Sequence, residues 1–215
     1  MAKTRAYGAD AQLLAAFESV YGTAPDGSGG DVYKKLSFKS SSLGGEKPLG
    51  YDPILGQGRD AQDPYYDALS VNGDIVVPVD LRAIGFWLKG LLGAPDTTDN
   101  EDDTYTHVFT SGGDLPSLAI ETGHTALTTK VFDMRAGAKL GGLQLDMQRT
   151  GPVNMTINGV VAQGEASAAT SEDATPGTYA LSRFSQGSGS IELDSTQLAA
   201  VTGGSVTFSN TLEPV

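Results

Sequence analysis

Cysteine is absent from all 215 residues. That excludes disulfides, thiolate-ligated zinc, iron–sulfur clusters and thiol nucleophiles. Histidine is nearly absent too, with only His107 and His124. Neither has a second histidine at ligand spacing, and a metal or triad site needs partners that converge. Both are expected to be structural or solvated. Aromatic residues make up 7% with a single tryptophan, and no apolar run approaches the roughly 20 residues that span a bilayer. Lys3 and Arg5 are not followed by the apolar stretch of a signal peptide. Synthesis in a cytoplasm, without membrane association, is therefore expected. The G-x-S-x-G, H-E-x-x-H and Walker A patterns are missing as well. The expectation is a protein that is not an enzyme, with no catalytic residue, metal or other cofactor.

What is present is acid and glycine. Lys and Arg total 14 against 26 Asp and Glu, a formal net charge of -12. Such a surface repels nucleic acid and anionic membrane, and the same balance is equally what ordinary solubility requires, which is the reading favoured on charge alone. Glycine, at 28 residues, exceeds the usual share of about 7% and fits many turns and short strands. The length suits one domain over 1–215. It would carry an N-terminal segment 1–31, a long loop 40–69 and a second loop 162–187.

Three local patterns carry no function in this reading. Gly56 to Ala61 matches G-x-G-x-x-A by letters, but Pro53 and Pro64 deny it the strand and helix a dinucleotide site needs. Asp96, Asp99, Glu101, Asp102 and Asp103 lack the glycine and terminal glutamate of a calcium loop, and read as a solvated acidic turn. Asn154-Met-Thr156 is a glycosylation sequon by letters alone.

Two helices are predicted. Asp10 caps the first, over 10–22, with Leu13, Leu14, Phe17, Val20 and Tyr21 on one face. Asp80 caps the second, over 81–92, with Leu81, Ile84, Trp87, Leu88 and Leu91 as its buried stripe and Gly93 and Pro95 ending it. Strands are predicted over 32–39, 70–77, 105–110, 117–122, 130–134, 190–194 and 205–209. The fold class is mainly β: an antiparallel sandwich or barrel with one good flanking helix and long loops.

The clearest stretch is 139–161, which reads as a two-strand hairpin. Leu143, Leu145 and Met147 alternate with Gln144, Asp146 and Gln148. After a turn over 149–152, Val153, Met155 and Ile157 alternate with Asn154, Thr156 and Asn158. A period of two puts the apolar set on one face and the polar set on the other. That polar face has no Lys, Arg or aromatic side chain, so it neither attracts phosphate nor offers a stacking platform. The 40–69 loop differs, since it carries Leu43, Leu49, Tyr51, Ile54, Leu55, Tyr65 and Tyr66. A long irregular loop with such anchors is expected to dock on its own domain or a neighbour.

Three segments, in order, resemble a known family. They are Glu18-Ser-Val-Tyr-Gly-Thr-Ala-Pro25; Val71-Asn-Gly-Asp-Ile-Val-Val-Pro-Val-Asp80 running into the predicted helix; and Leu115-Pro-Ser-Leu-Ala-Ile-Glu121 with Val131-Phe-Asp-Met-Arg-Ala-Gly137 and the hairpin. Together they are similar to the major tail tube proteins of long-tailed bacteriophages and prophages, over roughly residues 15–161. The resemblance implies a β-sandwich with a flanking helix, assembled with itself as hexameric rings stacked into a tube. It implies strands from each subunit joining around a channel that conducts DNA without specific binding. Tail-tip and terminator proteins are the other implied partners. Gln144, Asp146, Gln148, Asn154, Thr156 and Asn158 become candidate lumen residues, and the seven apolar residues of 40–69 candidate inter-subunit anchors. The rival reading from the residues is a free-standing sandwich that binds carbohydrate or a cell surface through Tyr51, Tyr65 and Tyr66. A hydrolase with paired carboxylates is a third.

Overall fold

The computed structural model describes residues 4–51, 55–56, 63–148, 150–184, 192–194, 196–197 and 203–212. In chain order the strands are β1 (Ala11–Phe17), β2 (Lys34–Leu36), β3 (Ser40–Ser41), β4 (Gly44–Glu46), β5 (Leu49–Gly50), β6 (Tyr65–Tyr66) and β7 (Ser70–Pro78). Helix α1 (Ile84–Leu92) is followed by β8 (Asp96–Asp99), β9 (Tyr105–Val108), β10 (Leu118–His124), β11 (Val131–Ala138), β12 (Gly142–Gln148) and β13 (Asn154–Ala162). The last strands are β14 (Gly164–Ala168), β15 (Gly177–Thr178), β16 (Glu192–Leu193), β17 (Thr196–Gln197) and β18 (Gly203–Ser209). The predicted mainly-β class is what the structure shows.

Two sheets form the sandwich. One runs β14-β11-β10-β1-β2-β15; the other runs β18-β12-β13-β7-β3, with β4 also paired to β7. Their facing sides meet in one core that includes Leu13, Leu118 and Ile120 from the first sheet and Ile75, Met155 and Ile157 from the second.

The predicted helix over 10–22 is corrected: residues 11–17 are strand β1, paired with β10 and β2. Leu13 and Ala15 enter the main core, while Leu14 and Ala16 join a second cluster with Tyr33 and Ala119 on the opposite face. Four successive buried residues leave no alternation, and Leu and Ala are strong helix formers. The pattern therefore read as helical although both faces of a strand are covered.

The second predicted helix is present but begins a turn later. The Asp80 carbonyl accepts the Ile84 N–H at 2.9 Å and its carboxylate accepts the Arg82 N–H at 3.1 Å. Asp80 thus anchors the approach, but Ala83 occupies the cap position. Leu81 is correspondingly 60% exposed, outside the predicted stripe. Trp87 and Leu91 are buried as predicted, together with Gly90. A Cβ on Gly90 would lie 2.7 Å from Leu140 Cδ1, so glycine lets the helix close on the sandwich. Asn210 fixes its far end, donating from Nδ2 to the Leu91 carbonyl at 3.0 Å and from its N–H to the Gly141 carbonyl at 2.7 Å.

The predicted hairpin is part of something longer. Phe132 faces Ala168, Ala136 faces Gly164, Lys139 faces Val161 and Leu145 faces Met155. These pairs keep one register, so β11–β12 and β13–β14 form a single ribbon that passes from one sheet to the other. Where it lies in the first sheet, Arg135 is 5% exposed and pairs with Glu165 at 2.7 Å. It also donates to the Thr122 hydroxyl. Glu165 accepts the Gly45 N–H at 2.9 Å and so ties β14 to β4 of the other sheet.

Other boundaries shift in smaller ways. The predicted acidic turn is partly strand, since Asp96–Asp99 pairs with Tyr105–Val108 as a hairpin. The 40–69 segment carries β3 to β6, and the 162–187 segment carries β14 and β15. The predicted strand over 32–39 is confined to Lys34–Leu36.

Outside the first sheet, the segments near 18–33 and 171–176 cover Leu14 and Ala16 through a polar network. The Asp173 carboxylate, 1% exposed, accepts the N–H groups of Val32 and Tyr33, each at 3.1 Å. Glu121, 2% exposed, accepts from the Ser171 hydroxyl at 2.6 Å and the Glu172 N–H at 2.8 Å. The Tyr33 hydroxyl donates to the Pro25 carbonyl at 3.0 Å. Burial, and then the charges of Glu172, Glu121, Glu18 and Asp173, hold the Tyr33 phenol well above its ordinary value. Above about pH 10 the unfolded chain loses this proton while the folded chain keeps it. Fewer protons bound by the unfolded state means that stability falls as pH rises. Tyr33→Phe is expected to flatten that alkaline loss while costing about 1 kcal/mol near neutrality. Urea titrations from pH 7 to 11 measure both; an unchanged alkaline slope would contradict the assignment.

Candidate functional site

The polar face predicted from alternation is the outer surface of the second sheet. Directly opposed residues share a face, so the register defines its rows. Thr207, Gln144, Thr156, Val76 and Ser40 lie in one cross-strand row. Ser205 opposes Asp146, and Gly203 opposes Gln148. Asn154 opposes Pro78, and Asn158 opposes Gly142. The inward row is Phe208, Leu143, Ile157, Ile75 and Ser41. All six candidate lumen residues therefore share one face. Asp146 and Gln148 are exposed, and the other four are half-buried.

Short polar contacts organise this face. Gln144 Nε2 donates to Asp146 Oδ1 at 3.1 Å. Asp74 Oδ1 accepts the Gly159 N–H at 2.9 Å, holding β7 to β13 where their register shifts. Asn158 behaves differently: its Oδ1 is shielded and has no hydrogen-bond partner. Arg183 Nη2 reaches Asn154 Oδ1 at 3.4 Å from beyond the sheet.

The sequence of the sheet is more one-sided than the hairpin alone revealed. None of its six strands contains a Lys or Arg, although the chain has 14. The strands do contain Glu46, Asp74 and Asp146, and their one aromatic residue, Phe208, packs against the core. The sequence reading missed Ser40, Asp74, Val76, Ser205 and Thr207 as members of this face. β7 and β18 are distant in sequence and join the hairpin only through pairing.

The apolar candidates of 40–69 divide. Leu43 is buried in the protein's own core, so it anchors the loop internally rather than facing outward. Leu49 (61%), Tyr51 (55%), Leu55 (96%), Tyr65 (54%) and Tyr66 (68%) are exposed. Ile54 lies outside the described residues, as does much of the Gly56 to Ala61 segment. β5 and β6 pair Leu49 with Tyr66 and Gly50 with Tyr65. Lys47 Nζ sits 5.3 Å from the centre of the Tyr66 ring. Tyr65 and Tyr66 are successive strand residues and so face opposite ways. They do not form the joint aromatic platform that a carbohydrate-binding reading required.

Neither histidine gathers a site. His107 Nδ1 is 2.8 Å from the Thr97 hydroxyl, and His124 has a buried Nδ1 without a partner. Among the described residues, no group of three or more His, Asp or Glu side chains is placed to hold a metal ion. No described helix is long and apolar enough to cross a membrane.

The family model described as phage tail tube protein matches residues 8–215. The chain belongs to the phage tail tube protein family. It is a structural subunit of a phage tail tube, a virion component that assembles with itself and with other tail proteins. Tail tube families are normally non-enzymatic. No curated protein matches the chain. The match extends well beyond the 15–161 stretch on which the resemblance was drawn, and it takes in β18, the strand that completes the polar face.

Proposed function

We propose that this tail tube subunit closes into hexameric rings whose bore is lined by the outer face of the β18-β12-β13-β7-β3 sheet. The observation that carries the reading is the absence of Lys and Arg from all six strands of that sheet. A polyanion slides past a wall of amide, hydroxyl and carboxylate groups without being held, because binding to DNA is dominated by cations that neutralise phosphate. Among the described residues, the sheet has open edges at β18 on one side and at β3 and β4 on the other. Unpaired edges are templates for further pairing, and a repeated heterologous contact that closes forms a ring. The sheet of one subunit continues into the next by joining these edges. Gln144, Asp146, Gln148, Asn154, Thr156 and Asn158 then face the lumen and contact passing DNA without specificity.

The exposed apolar residues Leu49, Tyr51, Leu55, Tyr65 and Tyr66 are docking contacts between subunits in this reading, together with Ile54. Subunits made in the host cytoplasm wait for a tail-tip initiator and are capped by a terminator. The test is negative-stain electron microscopy of the purified protein with and without a tail-tip initiator. Tubes with a stain-filled centre are expected. Subunits that stay monomeric even with the initiator would overturn the proposal.

A further inference from the structure

A groove with the opposite character lies on another part of the molecule. It runs between α1, the end of β1, the start of β2 and the root of the β8–β9 hairpin. Its lining includes Phe17, Phe86 and Tyr179 together with Lys34, Arg82 and Lys89. Lys34 is neutralised by Asp31 at 2.6 Å. Lys89 Nζ lies 4.5 Å from the centre of the Phe17 ring. Neither Lys89 nor Arg82 belongs to an ion pair among the described residues. Two uncompensated cations thus flank an aromatic floor in a chain with a net charge of -12.

The hairpin itself is the complement of that groove. Every residue of β8 and β9 is exposed, and among the described residues the two strands pair only with each other. Residues 96–108 contain five acidic residues and no Lys or Arg. Tyr105 (59%) and Val108 (52%) add exposed apolar surface. The tip has a defined shape. The Asn100 N–H donates to the Thr104 carbonyl at 3.0 Å, Asp99 Oδ1 accepts the Glu101 N–H at 2.9 Å, and Asp102 Oδ1 accepts the Thr104 N–H at 3.1 Å. A two-stranded hairpin standing alone in water is marginally stable, so an ordered, uncovered one calls for a surface to rest on. It cannot use its own groove. Pro95, His107 and Phe109 at its root line that groove, and the tip stands about 13 Å away along strands of four residues.

We propose that the groove receives the β8–β9 hairpin of a second copy of the chain. The acidic tip meets Arg82 and Lys89, and Tyr105 joins Phe17, Phe86 and Tyr179. Donor and acceptor occupy different places on one subunit, so the contact is head-to-tail and propagates from copy to copy. Electrostatic complementarity of this kind also fixes register and excludes wrong partners. The inference rests on the tube reading above and adds a contact to it.

Charge reversal tests the pairing. The groove variant is Arg82→Glu with Lys89→Glu; the tip variant is Glu101→Lys with Asp102→Lys; the third chain carries all four changes. Circular dichroism and thermal melts establish that each is folded. Electron microscopy then scores tubes grown from a tail-tip initiator. Each two-site variant is expected to lose tubes, and the four-site chain to regain them. Tubes from either two-site variant, or no recovery in the four-site chain, would overturn the contact while wild-type tubes leave the tube reading standing. Wild-type chains that form no tubes would overturn both. The milder Arg82→Gln with Lys89→Gln keeps the test open if a reversed chain misfolds. It should raise the concentration needed for tubes by about tenfold, a change of about 1.4 kcal/mol, and an unchanged threshold would count against the contact.

Discussion

Trp87→Ala is expected to destabilise the subunit by about 3–5 kcal/mol. Trp87 is 2% exposed and shares the core cluster with Leu91, Leu118 and Leu140. The Phe86 ring meets it edge-on with centroids 5.7 Å apart. Truncation removes the largest fully buried side chain of the molecule's described part and leaves a cavity under a nine-residue helix. A helix that short has little stability apart from its packing. Natural domains are stable by only about 5–15 kcal/mol, so a loss of this size consumes much of the margin. A lower urea midpoint with an unchanged slope is the expected signature. A shift worth under about 1 kcal/mol would mean that the site repacks far better than large-to-small core substitutions usually do. Assembly should fail along with stability, because α1 carries Phe86 and Lys89 of the proposed docking groove.

Lysines on the proposed lumen face should act in the opposite way, sparing the fold and stopping the traffic. Asp146→Lys with Thr156→Lys removes one negative charge and adds two positive ones per subunit. Asp146 is exposed and Thr156 half-buried on the outer surface, and surface substitutions usually change stability by less than about 0.5 kcal/mol. Every ring then presents fixed cations to the phosphates, and counterion release makes their attraction strong and dependent on salt. Particles carrying the variant should contain DNA and release it much more slowly when triggered. Raising the salt should restore release, because the screening length falls from about 10 Å at 0.1 M to about 3 Å at 1 M. Lysines at Ala166 and Ala168, on the edge strand of the other sheet, should leave release unchanged. Normal release from the Asp146 and Thr156 variant at low salt would show that a different surface lines the bore.

How much of this was readable in the sequence depended on whether each element is one-sided. The 142–148 and 154–158 stretches alternate because one face meets the core and the other does not, so period two survived in the letters. Strand β1 is covered on both faces, by the main core and by the Tyr33 and Asp173 layer, and its run of Leu and Ala took on a helical pattern. The polar hairpin face was visible, but its extension through Asp74, Val76, Ser205 and Thr207 was not. Local periodicity cannot say which distant strands pair. Only half of the β8–β9 hairpin was legible, for a related reason: the strand over 105–110 is predicted and present as β9, but Asp96 to Asp99 showed acid without alternation because β8 is exposed on both sides. Tyr65 and Tyr66 were legible as apolar residues in a polar loop, whereas their exposure and opposite directions required knowing that β5 and β6 pair.

The ribbon running through both sheets has a mechanical consequence. Lys139 and Val161 hold its two chains together as it crosses, and the Arg135, Glu165 and Gly45 contacts brace the first-sheet side. The two layers of the subunit are therefore joined by continuous backbone as well as by side-chain packing. A force that drags one layer past the other is carried through covalent chain, and sliding the layers apart means tearing paired strands. The subunit is built to bear shear as a unit.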